Sequence, residues 1–502
     1  MAARKKARPR HDDGRPNAAA AAPEGAAIAE PGPERIVESP AASTRSLLLA
    51  ACAIALLHAF ACAWLRNLGF DHISDDDFSR VVIAQGFAHH ARLDPSGTSW
   101  LPFPFWILGL GMKLLGRDLA TARALSILFS SLAAPLPFVA LRLSGVPWPR
   151  AFVALVFALG TPWMLWSGAT TVPESFTAAL TAAGVLGLAT VAARARDGAS
   201  PTDLAREKTA KTALREAAPL GFGAALFAAC LSRYEAWPAA AVAAIWVGVT
   251  LRRSPKRPRL IVAAVALCVA GPLMWMAWNA HAHDGPLHFF RRVSTYKRAI
   301  GDGATSWASA LFFYPKLLFA VRPEVTLPAL VLSPLAFVDR QVRRRWGLPL
   351  LAAFAQLAFL SIGNARDGAP AHHAERALLG GFVIFALFLA DVVLTPWIRT
   401  TKNGETKPAI PKAQKAFGGF IAIAWLISLL RADGTTPGMH PSEARTEQIE
   451  RGTKLRKDGV KPLTVTPCGY EHFALVAAYG APEQVTVNPA HFDQECPKVE
   501  TP

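Results

Sequence analysis

Residues 46–65 read SLLLAACAIALLHAFACAWL, and residues 66–78 continue RNLGFDHISDDDF. The first stretch holds no Asp, Glu, Lys or Arg and is long enough to cross the roughly 30 Å hydrocarbon core of a bilayer as a helix. The second packs Asp71, Asp75, Asp76 and Asp77 directly behind it. A chain that passes so abruptly from apolar to crowded acidic residues has left the apolar phase. Working outward, comparable runs recur near Leu119–Leu141, Arg150–Ser167, Glu174–Ala193, Pro219–Leu231, Pro238–Leu251, Leu260–Asn279, Val325–Val338, Trp346–Ile362, Ala377–Trp397 and Phe417–Leu430. The expected fold is therefore an all-α polytopic membrane protein of about 11 spans.

Composition agrees. Of 502 residues 52% are hydrophobic and 18% charged, and the mean hydropathy is +0.27. A disordered chain is excluded, and an ordinary soluble enzyme is disfavoured. The 53 Lys and Arg against 36 Asp and Glu leave a net charge of +17. That excess collects in short segments between apolar runs, which is the positive-inside pattern and points away from nucleic acid. Placing the tail before Ser46, Arg142–Arg150, Arg194–Arg215, Arg252–Arg259, Arg340–Arg345 and Arg399–Lys415 on the cytosolic side puts the N-terminus inside and the C-terminus outside. Residues 1–45 read as a disordered basic tail and 46–431 as the membrane domain, its first outer loop spanning 66–116. Trp100–Leu115 is apolar as well, but as a full crossing it would invert the later charges, so it reads as an interfacial or re-entrant helix.

Residues 432–502 form a small extracytoplasmic α/β domain in this reading. PLTVT (462–466), YEHFALVAAYG (470–480) and QVTVN (484–488) alternate as strand, helix, strand. Cys468 and Cys496 flank that unit, and two cysteines in an oxidising compartment suggest one disulfide.

The loop acids have a bland reading, a solvated acidic patch. Against it, Phe78, Val81, Val82, Ile83 and Phe87 follow at helical spacing, so the acids open an amphipathic helix. Like charges held so close raise one another's pKa, which can make a base or a cation site. Glu174 follows Pro173 at a span start, where helix capping is an adequate role. Arg233, Tyr234 and Glu235 form a charged knot between two apolar runs, and an Arg flanked by aromatics suits a lipid phosphate. The loop 280–322 carries Arg291, Arg292, Lys297 and Arg298 against the positive-inside trend, where they could meet anionic headgroups or a donor phosphate. His281, His283 and His288 lack any tight metal-ligand spacing. No G-x-x-x-x-G-K-[ST] loop occurs, which disfavours an ATP-driven pump.

A first span, an outer loop opening SDDDF, the Pro-rich segment around Trp100, Pro102 and Pro104, and the stretch holding Leu115, Gly116 and Arg123 together resemble the C-type (GT-C) membrane glycosyltransferases, including the protein O-mannosyltransferases and the lipid A aminoarabinose transferases. HHAERALLG (372–380) resembles their His-Lys-Glu-x-Arg-Phe signature, with His373, Glu375 and Arg376 in place and Ala374 and Ala377 where Lys and Phe are expected. The resemblance implies a sugar donor on a polyprenyl phosphate, membrane lipids around it, and a lipid, glycan or protein acceptor of the cell envelope, at the outer face of a bacterial inner membrane. It implies inverting transfer with Asp75 as the base, aided by Asp76, Asp77 and Glu174. Arg233, Tyr234, Arg291, Arg292, Lys297, His373, Glu375 and Arg376 would serve the substrate and its phosphate. Superfamily members differ on whether a divalent metal joins acids such as Asp75 and Asp76. A transporter or flippase for a lipid-linked or anionic substrate is the rival class, and a non-catalytic assembly protein a third.

Overall fold

The computed structural model describes residues 43–196, 210–252, 259–299, 306–368, 373–395, 397–400, 406–409, 412–430, 444–467 and 469–488. Within them six helices are long and apolar enough to cross a membrane, or eight if each of two bent pairs is one span. The chain is an all-α, multi-pass membrane protein, and its described residues also form two small two-stranded sheets.

The first span is α1 (Thr44–Asn67), whose N-terminus is capped by the Ser43 hydroxyl accepting from the Ser46 amide. Its 24 residues reach about 36 Å. Leu48, Leu56, Leu57 and Phe60 project outward from it, exposed. A soluble protein would have to cover such a face, whereas lipid solvates it. Next come α2 (Asp76–His89), α3 (Phe103–Leu115), α4 (Leu119–Ala133) and α5 (Leu136–Leu143). The 13 residues of α3 span about 20 Å, too short to cross, in line with the non-crossing role expected of Trp100–Leu115.

The bundle closes around α8 (Glu174–Arg196), which is buried over most of its length. Small residues let its neighbour approach. A Cβ added at Gly187 would meet the Phe222 ring at 2.2 Å, so α9 (Ala210–Cys230) lies in a groove that only glycine leaves open. Then follow α10 (Ala236–Arg252), α11 (Arg259–Ala282), the basic helix α12 (His288–Ala299), α13 (Trp307–Val321), α14 (Pro323–Leu332), α15 (Leu335–Val338), α16 (Arg340–Asn364), a 3-10 turn (Ala374–Leu378) and α17 (Leu379–Leu394). A hairpin of β1 (Trp397–Thr400) and β2 (Thr406–Ala409) leads to α18 (Lys412–Leu430).

The expected spans need correction at several points. Arg150–Ser167 is not one rod: α6 (Trp148–Leu159) and α7 (Pro162–Ala169) meet at 72°, where Thr161 caps a new helix that starts with Pro162. Val325–Val338 is likewise half of a broken element, because α13 turns by 115° into Pro323–Val338. Residues 307–321, expected within a loop, are an apolar helix. Ala236–Arg252, at 17 residues, sits at the short end of the range for a full span. The run placed at Ala377–Trp397 stops at Leu394, and Trp397 opens the hairpin.

Beyond residue 444 the chain forms α19 (Thr446–Lys457), β3 (Leu463–Val465), α20 (His472–Tyr479) and β4 (Val485–Val487). The two strands pair in parallel, with Leu463 opposite Val485. A βαβ unit was expected; α19 was not, since TEQIERGTKLRK is polar on nearly every face. This segment shares a core with the acidic loop, Ala474, Ala477 and Ala478 packing against Phe78, Val81, Met112 and Leu125. Cys468, Cys496 and most of the Arg194–Arg215 block lie outside the described residues, as does His372.

Candidate active site

The first turn of α2 carries three successive carboxylates, and each finds a different partner. Asp77 is buried. Its Oδ2 accepts the amides of Ile73 (3.0 Å) and Ser74 (3.2 Å), and its Oδ1 accepts the amide of Thr171 (3.0 Å). The Thr171 hydroxyl donates back to the Asp77 carbonyl at 2.7 Å. Both Asp77 oxygens are therefore spent on shaping the turn and joining it to the start of α8, which removes this residue from the proton-transfer role expected of it.

Asp76 points the other way. Its Oδ2 accepts from Arg376 Nη2 at 2.6 Å, while its side chain keeps 37% of its surface exposed. Burial alone would raise this carboxyl, but the guanidiniums of Arg376 and Arg80 override it and hold the group below the usual carboxylate range. Arg376 also donates to the Ser74 hydroxyl at 3.3 Å and stands 3.7 Å from Glu174. Glu174 in turn accepts from Arg233 at 2.5 Å, and Arg233 forks onto Glu235 at 3.1 and 2.6 Å. Two buried arginines, Arg80 and Arg376, and the partly buried Arg233 thus face Asp76, Glu174 and Glu235, three cations against three carboxylates. Desolvated charges survive only when matched in this way.

Asp75 is drawn out of this cluster. Arg445, from the C-terminal segment, grips it with Nε and Nη2, both at 2.9 Å. No feature of the local sequence could announce a partner 370 residues away.

Arg80, which sequence reasoning passed over, is a cation with capacity to spare. It is 6% exposed, lies over the Trp100 ring at 4.4 Å, and its Nε has no hydrogen-bond partner. Its position four residues after Asp76, as the one Arg or Lys on that helix, was the available signal. It lines a narrow groove whose other walls are mostly apolar, among them Pro104, Phe105, Leu108, Phe129, Val172 and Phe176. Pro173, the residue before Glu174, forms part of its wall.

The remaining expected residues divide. Glu375 is buried 3.7 Å from His373, whose backbone is left-handed (φ 52°), and the two lie next to Arg376. The Tyr234 hydroxyl donates to the Ser99 carbonyl (2.7 Å) and accepts from Trp275 (2.9 Å), so it fixes an aromatic cluster and is not free to bind phosphate. Lys297 is buried and donates to Asn364 at 2.6 Å. Arg291 pairs with Asp284 at 3.1 Å and Arg292 reaches the Gly97 carbonyl at 3.5 Å, both on the exposed side of α12. Asp94 accepts the amides of Ser96 and Gly97, a turn role.

A divalent metal does not fit this arrangement. Among the described residues no three His, Cys, Asp or Glu side chains converge as a ligand set, and both oxygens of Asp75 are committed to Arg445. The acids are met by guanidiniums instead.

No family model matches the chain, and no curated protein matches it either. Among solved structures it is similar to the archaeal oligosaccharyltransferase AglB from Archaeoglobus fulgidus, in complex with an inhibitory peptide and a dolichol-phosphate, at 13% identity and a TM-score of 0.48 over 88% of this chain and 64% of that one. It is also similar to ArnT from Cupriavidus metallidurans bound to undecaprenyl phosphate, at 14% identity and a TM-score of 0.45 over 88% of this chain and 76% of that one. The chain thus spans about 64% of the length of the oligosaccharyltransferase.

Proposed function

We propose that this protein transfers a sugar from a polyprenyl-phosphate donor to a hydroxyl, amide or acid acceptor of the cell envelope, at the outer face of the membrane, with Asp76 as the general base. One observation carries the reading. A half-exposed carboxylate, held ionised by Arg376, also feels the charge of Arg80, a buried guanidinium with an unpartnered Nε that lines a mostly apolar groove. An amphiphile with a phosphate head matches such a groove, its chain against Phe105, Leu108 and Phe176 and its charge on Arg80.

The chemistry is a single displacement. Asp76 takes the acceptor proton as the acceptor oxygen or nitrogen bonds to the anomeric carbon, and the bond from that carbon to the phosphate oxygen breaks with inversion. The electron pair leaves on polyprenyl phosphate, whose charge Arg80 stabilises. Asp75 was the expected base, but an acceptor-only carboxylate already gripped at both oxygens by Arg445 is a poor proton acceptor. Arg233 is taken up by Glu174 and Glu235, and Arg376 is paired with Asp76 and Ser74 while its Nε makes no hydrogen bond, so both shape the site and its field.

The test is purified protein in nanodiscs with labelled polyprenyl-phosphate sugars. Transfer predicts release of free polyprenyl phosphate, lost in Asp76→Asn. Movement of intact donor between leaflets without release would support the transporter class instead.

A further inference from the structure

We infer that Arg445 is a positioning residue of the active site, delivered by the C-terminal segment, and that this segment must be docked on the acidic loop for the site to keep its geometry. The inference rests on the assignment of Asp76 as base.

The geometry begins with an excess of negative charge. Asp75, Asp76 and Asp77 occupy one helical turn, and Asp75, at the N-cap of α2, makes no side-chain cap bond. Its side chain is only 18% exposed, so water cannot fully neutralise it. Arg445, itself 9% exposed, does so through two parallel contacts of 2.9 Å. Paired donors of this kind fix orientation as well as charge.

The same segment is fastened to the loop at two further points. Gln85 Nε2 donates to the Ala477 carbonyl (2.7 Å) and to the Arg117 carbonyl (2.9 Å). Arg117 then forks onto Glu483 at 2.9 and 2.8 Å. Beneath them the alanines of α20 complete the apolar core of α2 and α3. The segment is thus built onto the helix that carries the base.

Without Arg445, Asp75 would be a half-desolvated charge adjacent to Asp76, and it would compete for Arg376. Drawing Arg376 toward Asp75 takes it away from both Asp76 and Glu174, which it now bridges. Arg445 therefore acts on the reaction through Asp75 and Arg376, without touching substrate.

Full-length Arg445→Gln, Arg445→Lys and the double variant Asp75→Asn/Arg445→Gln, in nanodiscs with a labelled polyprenyl-phosphate sugar, test this. Arg445→Gln should lower kcat by about tenfold or more with donor KM changed by no more than about twofold. Lysine should rescue part of the loss, and the double variant, which removes both charges, most of it. A single variant with wild-type turnover, or a double variant no better than the single, would overturn the inference. Hydrogen exchange gives a readout independent of transfer. The Ile73 and Ser74 amides should exchange faster in Arg445→Gln and return toward wild type in the double variant; unchanged exchange in the single would again refute the role. If wild-type protein transfers no sugar at all, the transferase reading fails, and the exchange experiment still decides what Arg445 does.

Discussion

Arg376 bridges Asp76 and Glu174, at 2.6 Å from one carboxylate and 3.7 Å from the other, although 300 residues separate it from Asp76. The acidic loop, the start of α8 and the 3-10 turn before α17 therefore converge on one guanidinium. Removing the base while keeping its shape is the first test. Asp76→Asn should cut transfer by about 10²- to 10⁴-fold, the usual contribution of a general base, with donor binding preserved. Asp75→Asn should cost far less. The opposite order, measured by release of polyprenyl phosphate, would return the base to Asp75.

Asp77→Ala should affect folding more than chemistry. It leaves the Ile73, Ser74 and Thr171 amides without their acceptor, at about 1–3 kcal/mol for each group that stays buried and unpaired. Thermal unfolding in detergent should show the loss, while turnover per folded molecule falls far less than in Asp76→Asn.

Arg233→Ala strands Glu235 and takes the nearer partner from Glu174, whose side chain is 1% exposed. Breaking a buried pair from one side costs about 3–5 kcal/mol. The variant should unfold well below wild type. Arg233→Ala with unchanged stability would mean that the cluster is far wetter than its burial indicates.

The Asp76 carboxyl titrates below the usual carboxylate range because Arg376 and Arg80 outweigh its burial. Being depressed in the folded state, it contributes stability above its unfolded pKa of about 4, and that contribution is lost as pH falls through the lower folded value. The acid limb of kcat/KM should accordingly lie below the usual carboxylate range. In Arg376→Gln it should move up; a limb that stays in place would show that another group titrates.

Gly452 packs α19 against α20 so closely that an added Cβ would meet the Leu475 carbonyl at 2.3 Å. Gly452→Val should therefore split the two helices and expose the C-terminal segment to protease. If that segment is a working part of the site, transfer should fall along with protection.

Apolar runs and the βαβ alternation were legible in sequence because each depends on residues that are neighbours along the chain. The bends were harder to read. The 72° break at Thr161 is marked by just three residues, Gly160, the capping Thr161 and Pro162, inside a run that is apolar on both sides. Ion pairs between Asp76 and Arg376, or Asp75 and Arg445, have no local trace, since three identical acids in a row differ only in what folds against them. Tyr234 and Lys297 looked free because their partners, the Ser99 carbonyl and Asn364, come from other elements.

The tie between Asp77 and Thr171 makes one body of two parts of the chain that could otherwise drift. The turn carrying Asp76 and the turn leading into Glu174 share backbone and side-chain hydrogen bonds at 3.0 and 2.7 Å. When lipid chains enter and leave and the surrounding helices breathe, those two acids travel together. Their separation is set by a short covalent-like ruler of hydrogen bonds, indifferent to the thickness and tension of the bilayer around it.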